Sequence, residues 1–249
     1  MDRKQQDIVR LVKSAAPKNP LAYMREAAAD YLLDVLNNSI LHCNACPCSN
    51  KYKSIAVGNP RGSIVVISEN ISTNQILQSS GQTVFSPCEN IAGQEFLDSV
   101  LDYYCVNRDE LLFINSVNCA TFKKDSETET RPPKKSEVTA CNTFVDYALD
   151  IVRPCGILLL GSVAMNVWNI DSITNARGKF IYADRAPAMP TFHPDYFERI
   201  AAHKTEEQVD ALRIQFINDV GNFFRYLYEK YPDSNLFTAD PSAAFAEIS

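Results

Sequence analysis

The sequence predicts a three-layer α/β/α sandwich on a central four-stranded parallel sheet. Three apolar runs, residues 64–67 (IVVI), 111–114 (LLFI) and 157–160 (ILLL), are too short for helices and lack polar alternation, as fully buried parallel strands do. Patterns with helical spacing separate them, and strands alternating with helices imply right-handed crossovers that cover both faces of the sheet. A weaker run at 188–192 supplies the fourth strand.

The elements follow in order. Residues 21–38 carry apolar side chains at helical spacing and form a helix that stops before the first cysteines. Further helices are expected at 92–104, 136–152 and 162–168, and an amphipathic run at 206–231 is expected to lie across one face. The Lys- and Glu-rich stretch 123–135 reads as an exposed loop, and residues from 232 onward as a disordered tail. The chain is thus one domain over 1–231, with a helical extension at 1–40 and a tail at 232–249.

A chain of 249 residues with 46% hydrophobic content can bury a sizeable core. The opening MDRKQQDIVR contains no apolar run long enough for a signal peptide or a membrane span, so a cytoplasmic protein is expected, with no membrane partner. No obligate protein partner is evident, and a monomer is expected. A formal charge of -6 argues against a protein that coats nucleic acid nonspecifically, but leaves room for a local basic face. Lys51, Lys53 and Arg61, then Lys123, Lys124, Arg131, Lys134 and Lys135, then Arg177, Lys179 and Arg185 are its candidates. By composition alone these clusters read equally as solvated loops.

In a parallel α/β sheet, ligands gather beyond the carboxyl ends of the strands. That selects Ser68, Glu69 and Asn70, then Asn115, Gly161 and His193, although Asn and His also cap loops at such places. The eight cysteines belong to a reducing compartment, where burial, reactivity or metal binding is expected over structural disulfides. Cys43 and Cys46 form a CxxC pair, while Cys119 follows a strand end and Cys141 lies in a helix, so the two pairs can face each other. Four thiolates suit zinc or an iron-sulfur cluster equally well. Cys88, Cys105 and Cys155 read as simply buried.

With these residues in hand, the chain resembles the iron-sulfur (family 4) uracil-DNA glycosylases from about residue 43 to residue 199. Cys43-Asn-Ala-Cys46-Pro47, Gly58-Asn59-Pro60 and the strand at 64–67 match the opening of that family. Phe85 with Ala92-Gly93-Gln94 and Leu97-Asp98 is similar to its PFVGRAGQLLD segment. Residues 114–119 (INSVNC) are similar to ITNVVKC, and Glu137 with Cys141 to the ExxxC that follows. Leu160-Gly161 with Ala164, Arg177-Gly178-Lys179, and residues 191–196 (TFHPDY) resemble the LGxxA, RGK and TYHPAY motifs.

The resemblance implies a [4Fe-4S] cluster on Cys43, Cys46, Cys119 and Cys141, serving as a structural staple, with Cys48 as a possible substitute ligand. It implies that the protein acts on DNA, flipping a nucleotide into a pocket at a cost of a few kcal/mol. Phe85 would stack on the base and Asn115 would read its edge, with Asn70 beside them. His193 would hydrogen-bond the base O2 as negative charge develops, and Glu69 would orient the water or stabilise the sugar cation. No lysine stands at a nucleophile position, so a monofunctional hydrolase is implied. Tyr196, Phe197 and Arg199 stand where the family inserts its minor-groove wedge, and Arg177 and Lys179 are further DNA contacts.

The chain also departs from the pattern. The family's GEAPG reads Ser68-Glu69-Asn70-Ile71-Ser72, without its glycines and proline. The segments flanking Phe85 are longer than in the family, and so is the loop between Cys119 and Cys141. An enlarged rim favours a bulky modified pyrimidine of the kind found in bacteriophage genomes, and with it a role in defence or phage competition. Ordinary uracil removal in repair is the second expectation, and a non-catalytic module that binds a modified base the third.

Overall fold

Each strand of the sheet sends alternate side chains to opposite faces, and both faces are covered. The computed structural model describes residues 20–85, 87, 91–170, 172–182 and 185–248. The chain forms α1 (Pro20–Leu41), the short strands β1 (Lys53–Ser54) and β2 (Val57–Gly58), then β3 (Ile64–Ser68), α2 (Thr73–Gln78) and β4 (Val84–Phe85). It continues through α3 (Ile91–Tyr103), β5 (Leu111–Asn115), α4 (Lys135–Val152), β6 (Gly156–Leu160), α5 (Ser162–Met165) and α6 (Ile173–Ala176). It ends with β7 (Ile181–Tyr182), β8 (Pro187–Thr191), α7 (Asp195–Ala201), α8 (Glu206–Lys230) and α9 (Ser242–Ala246).

The main sheet has the order β2-β5-β3-β6-β8-β7. Its central four strands are mutually parallel, as expected, and the sequence reading missed only the two-residue antiparallel edges, β2 and β7. Runs of two residues carry no periodicity to detect. On one face Val65, Ile67, Leu112, Ile114, Ile157 and Leu159 pack with Leu36 and Ile40 of α1 and with Val145 and Leu149 of α4. On the other, Ile64, Val66, Leu111, Phe113, Leu158 and Leu160 meet Leu97 and Leu101 of α3 and Phe216, Phe223 and Phe224 of α8. Thr205 starts α8 with a reciprocal cap, accepting from the Gln208 N–H while Gln208 Oε1 accepts from its own.

The segment beyond residue 232 is not the disordered tail expected from the sequence. Asn107 N–H donates to Leu236 O at 2.7 Å, Thr238 N–H donates to Cys105 O at 2.8 Å, and Leu236 and Phe245 enter the α8-side core. Among the described residues, no helix is long and apolar enough to cross a membrane.

Parallel pairing places Ser68 level with Asn115 and Leu160 level with Thr191. The residues that leave β3, β5, β6 and β8 therefore emerge along one edge of the sheet, where the candidate site lies.

Candidate active site

His193 follows β8 by two residues and is buried. Its Nδ1 accepts the Asp195 backbone N–H at 3.2 Å, which places the proton of a neutral ring on Nε2. That Nε2 stands 2.9 Å from Ser68 Oγ and donates to it. The Asp195 carboxylate stands 3.8 Å from Nδ1. The end of β8 is itself anchored: Thr191 Oγ1 donates to Asp219 Oδ2 at 2.8 Å, and Arg177 grips the same carboxylate with Nε at 2.9 Å and Nη2 at 2.8 Å. Burial pushes the Asp219 carboxyl upward, while Thr191 and Arg177 oppose that shift. Arg177, expected to contact DNA, here directs its guanidinium to Asp219 and stands over the Phe192 ring.

Glu69 follows β3, across the cleft. Its Oε1 accepts the Val163 N–H at 3.2 Å and lies 3.4 Å from Ser162 Oγ, so the carboxylate caps α5. Gly161 makes this approach possible: its φ is +94°, and a Cβ there would overlap the Glu69 carboxylate. The remainder of the altered loop is firmly built. Ile71 is fully buried, and Ser72 caps α2 in a box with Gln75, accepting from Gln75 N–H at 3.2 Å and donating its own N–H to Gln75 Oε1 at 2.8 Å.

Glu69 and His193 line one cleft of about 570 Å³, with Asn70 and Ser72 on one wall, Thr130 and Arg131 on another, and Arg199 at the mouth. A smaller neighbouring recess adds Tyr196 to Glu69, His193 and Arg199. The enlarged loop between Cys119 and Cys141 supplies the Thr130–Arg131 wall. Thr130 N–H donates to Thr73 Oγ1 at 2.9 Å, and Asn70 Nδ2 donates to Thr121 Oγ1 at 3.2 Å, so this loop is stitched to the loop after β3. Arg131 is held in turn by Glu137, Nη1 to Oε2 at 2.8 Å and Nη2 to Oε1 at 2.6 Å.

Two expected base contacts lie elsewhere. Phe85 is buried with Ile71, Ile76 and Ala120, its ring centroid 6.2 Å from that of Tyr52, and does not line the cleft. Asn115 is buried behind the site, where its Nδ2 donates to Ser54 Oγ at 3.0 Å and its Oδ1 has no partner among the described residues. Lys179 is exposed and lines neither recess, its Nζ donating to Asn175 O at 3.0 Å. Ser68, selected by its place at a strand exit, does stand against His193. Sequence reasoning named Arg131 only as a candidate for a basic face and did not single out Asp195 or Thr130; the available signal for Asp195 was its place two residues after His193.

The cysteines of three separate segments meet on the α1 and α4 side of the sheet. Cys46 Sγ lies 3.0 Å from Cys48 Sγ, and Cys48 also hydrogen-bonds Cys119. Burial pushes the Cys141 thiol up to about 12, with Cys119, Cys46 and Cys43 near enough to add to the shift. Cys119 is brought down to about 6, first by the Cys48 hydrogen bond and then by Lys53. Among the described residues, no group of three such side chains is arranged to hold a metal ion. Lys53 was expected on a basic surface but is buried here. Cys155 is partly buried, and Cys88 lies outside the described residues.

The family model described as the uracil DNA glycosylase superfamily matches residues 55–217, from β2 to the middle of α8. The type-4 uracil-DNA glycosylase of Saccharolobus solfataricus is 25% identical over 176 residues, covering 65% of this chain and 75% of the relative. That of Thermotoga maritima is 27% identical over 175 residues, covering 68% and 84%. A third, from Sulfurisphaera tokodaii, is 25% identical over 175 residues, covering 65% and 74%. The chain belongs to the uracil DNA glycosylase superfamily.

Proposed function

We propose that this protein is a monofunctional DNA glycosylase that flips a modified pyrimidine into the Glu69–His193 cleft and hydrolyses its N-glycosidic bond. The observation that carries this reading is the buried His193, whose Nδ1 accepts the Asp195 N–H and whose Nε2 points to Ser68, facing the same cleft as the Glu69 carboxylate. As the bond breaks, negative charge gathers on the base and positive charge on the sugar. His193 Nε2–H, pre-aimed by Ser68 and Asp195, turns from the serine hydroxyl to the base oxygen and stabilises the leaving group. Glu69, held beside it by α5, stabilises the sugar cation and orients the attacking water.

A bulky base is favoured by the rim. The enlarged loop carries Thr130 and Arg131 into the cleft wall, and Phe85, the expected stacking partner, is withdrawn from it. Tyr196 and Arg199 at the mouth suit the gap left by the extruded nucleotide. Excision of such bases fits a role in defence against bacteriophage. Ordinary uracil removal is the second reading, favoured by the names of the three relatives. Incubating the protein with uracil DNA and with DNA carrying bulky 5-substituted pyrimidines, then scoring abasic sites, tests both. Abasic sites on neither DNA would contradict both.

The cysteine set fits a thiolate-held group by its donor chemistry: sulfur ligands only, from the turn before β1, the segment after β5 and α4. Cys43, Cys46, Cys119 and Cys141 would hold a [4Fe-4S] cluster, which would staple these segments together. Cys48, in contact with Cys46 and Cys119, is the alternative ligand.

A further inference from the structure

The two recesses share Glu69, Ser162, His193 and Arg199, whereas the Thr130–Arg131 wall belongs to the larger cleft alone. That cleft therefore extends beyond the Glu69–His193 pair toward the enlarged loop. Most polar side chains along this stretch are already committed. The hydroxyls of Thr73 and Thr130 hydrogen-bond each other at 2.9 Å, and Ser72 Oγ accepts the Gln75 N–H. Asn70 Nδ2 donates to Ile71 O at 3.1 Å and to Thr121 Oγ1 at 3.2 Å, which uses both of its hydrogens. Arg131 differs, because a guanidinium carries five N–H groups. Nη1 gives its two to Pro132 O at 3.0 Å and Glu137 Oε2 at 2.8 Å, and Nη2 gives one to Glu137 Oε1 at 2.6 Å. Nε–H and the second Nη2–H have no partner among the described residues. Glu137 is itself buried and accepts the Lys134 N–H at 2.7 Å, so the carboxylate is fixed and the fork with it.

We propose that Arg131 determines specificity in this cleft by donating to an uncharged oxygen acceptor, a hydroxyl, ether or carbonyl, on the 5-substituent of the flipped pyrimidine. This rests on the glycosylase reading above. In a pyrimidine ring C5 lies opposite C2, so a base with its O2 toward His193 points its 5-substituent away from His193, into the part of the cleft that Arg131 walls. The charge balance selects the kind of substituent. Glu137 offsets the Arg131 charge, and Glu69, Asp195 and Glu198 face the same cleft with Arg199, so an anionic substituent finds no positive field. An ammonium held against Arg131 meets a like charge that offers donors only. A neutral oxygen meets a donor that Glu137 has already ordered, which keeps the entropy cost of binding low. An apolar substituent shuts water away from the same donors and leaves them unpaired.

The test compares wild type and Arg131→Met on duplexes whose uracil carries one of three 5-substituents matched in length: hydroxypropyl, butyl or aminopropyl. Single-turnover excision and duplex binding are both measured. The expected result is that wild type excises the hydroxypropyl base about tenfold faster or more than the butyl and aminopropyl bases, the scale of one hydrogen bond to a charged donor. Arg131→Met should bring the hydroxypropyl rate down to the butyl rate. A wild type that does not distinguish hydroxypropyl from butyl overturns the proposal. So does an equal loss on all three duplexes in Arg131→Met, which would mark the arginine as a phosphate contact or a wall support. If Arg131→Met does not fold, Arg131→Met combined with Glu137→Gln, which leaves no orphaned carboxylate, carries the same comparison. If no duplex is cleaved, the glycosylase reading fails and binding decides the recognition by itself. Tighter binding of the hydroxypropyl duplex that Arg131→Met abolishes upholds it, and equal binding of the three overturns it.

Discussion

The turns after β8 and after β3 face each other across the same cleft, yet they hold their key residues by different means. The β8 turn keeps its residues local: His193 is aimed by Asp195 two residues on, and by a strand end tied to Asp219. The β3 turn lacks the glycines and proline of the family motif and relies on burial and capping, with Ile71 as a plug, Ser72 as the cap of α2 and Glu69 as the cap of α5. The lesson is that a carboxylate can keep its place after its motif is lost if the surrounding loop is anchored. The price is that Glu69 serves fold and site at once, whereas His193 is held by its own turn and by Ser68.

This contrast can be broken most directly at His193. His193→Ala is expected to slow single-turnover excision by about 100-fold or more, the scale for losing one donor at a charge-developing oxygen, with DNA binding barely changed. Glu69→Gln keeps the shape and loses the charge, so excision should fall about 10- to 100-fold. A small loss of thermal stability should accompany it, because the carboxylate also caps α5. Unchanged turnover in Glu69→Gln beside an inactive His193→Ala would mean that the β3 turn has given up its catalytic part.

Smaller effects sharpen the same comparison. Ser72→Ala removes the cap of α2 and should cost about 1 kcal/mol. In a chain of this size that is about 2–4 °C in Tm, read by calorimetry, with a larger loss of activity than of stability if the cap positions Glu69. The Arg131–Glu137 pair ties the cleft wall to the start of α4, and the Arg131 guanidinium holds the Glu137 carboxyl below its ordinary value of 4.5. A carboxyl with a lowered folded value contributes stability above its unfolded value and loses it as pH falls through the folded one. Melting temperatures should therefore drop below pH 4.5 in wild type, and less steeply in Arg131→Met.

The strands were legible because their runs are apolar on both faces, and His193 because the Thr-x-His-Pro-x-Tyr frame of its motif is kept. Other features depend on distant partners that no local pattern reveals. Lys53 and Arg177 read as surface cations, but one turns in to Cys119 and the other to Asp219. The segment after 232 reads as a tail, yet Leu236 and Phe245 find a core at residues 104–106 and on α8. Phe85 fits the family pattern by residue type, and the longer segments around it let it sink beneath Ile71 instead of facing the cleft.

The most direct test of the account is abasic-site formation under single-turnover conditions on matched duplexes, carrying uracil or a bulky 5-substituted pyrimidine, with wild type and His193→Ala in parallel. The account predicts abasic sites with wild type, faster on the bulky base, and almost none with His193→Ala although that variant still binds. Equal cleavage by the two proteins, or DNA bound by wild type without a single abasic site on any duplex, would contradict it.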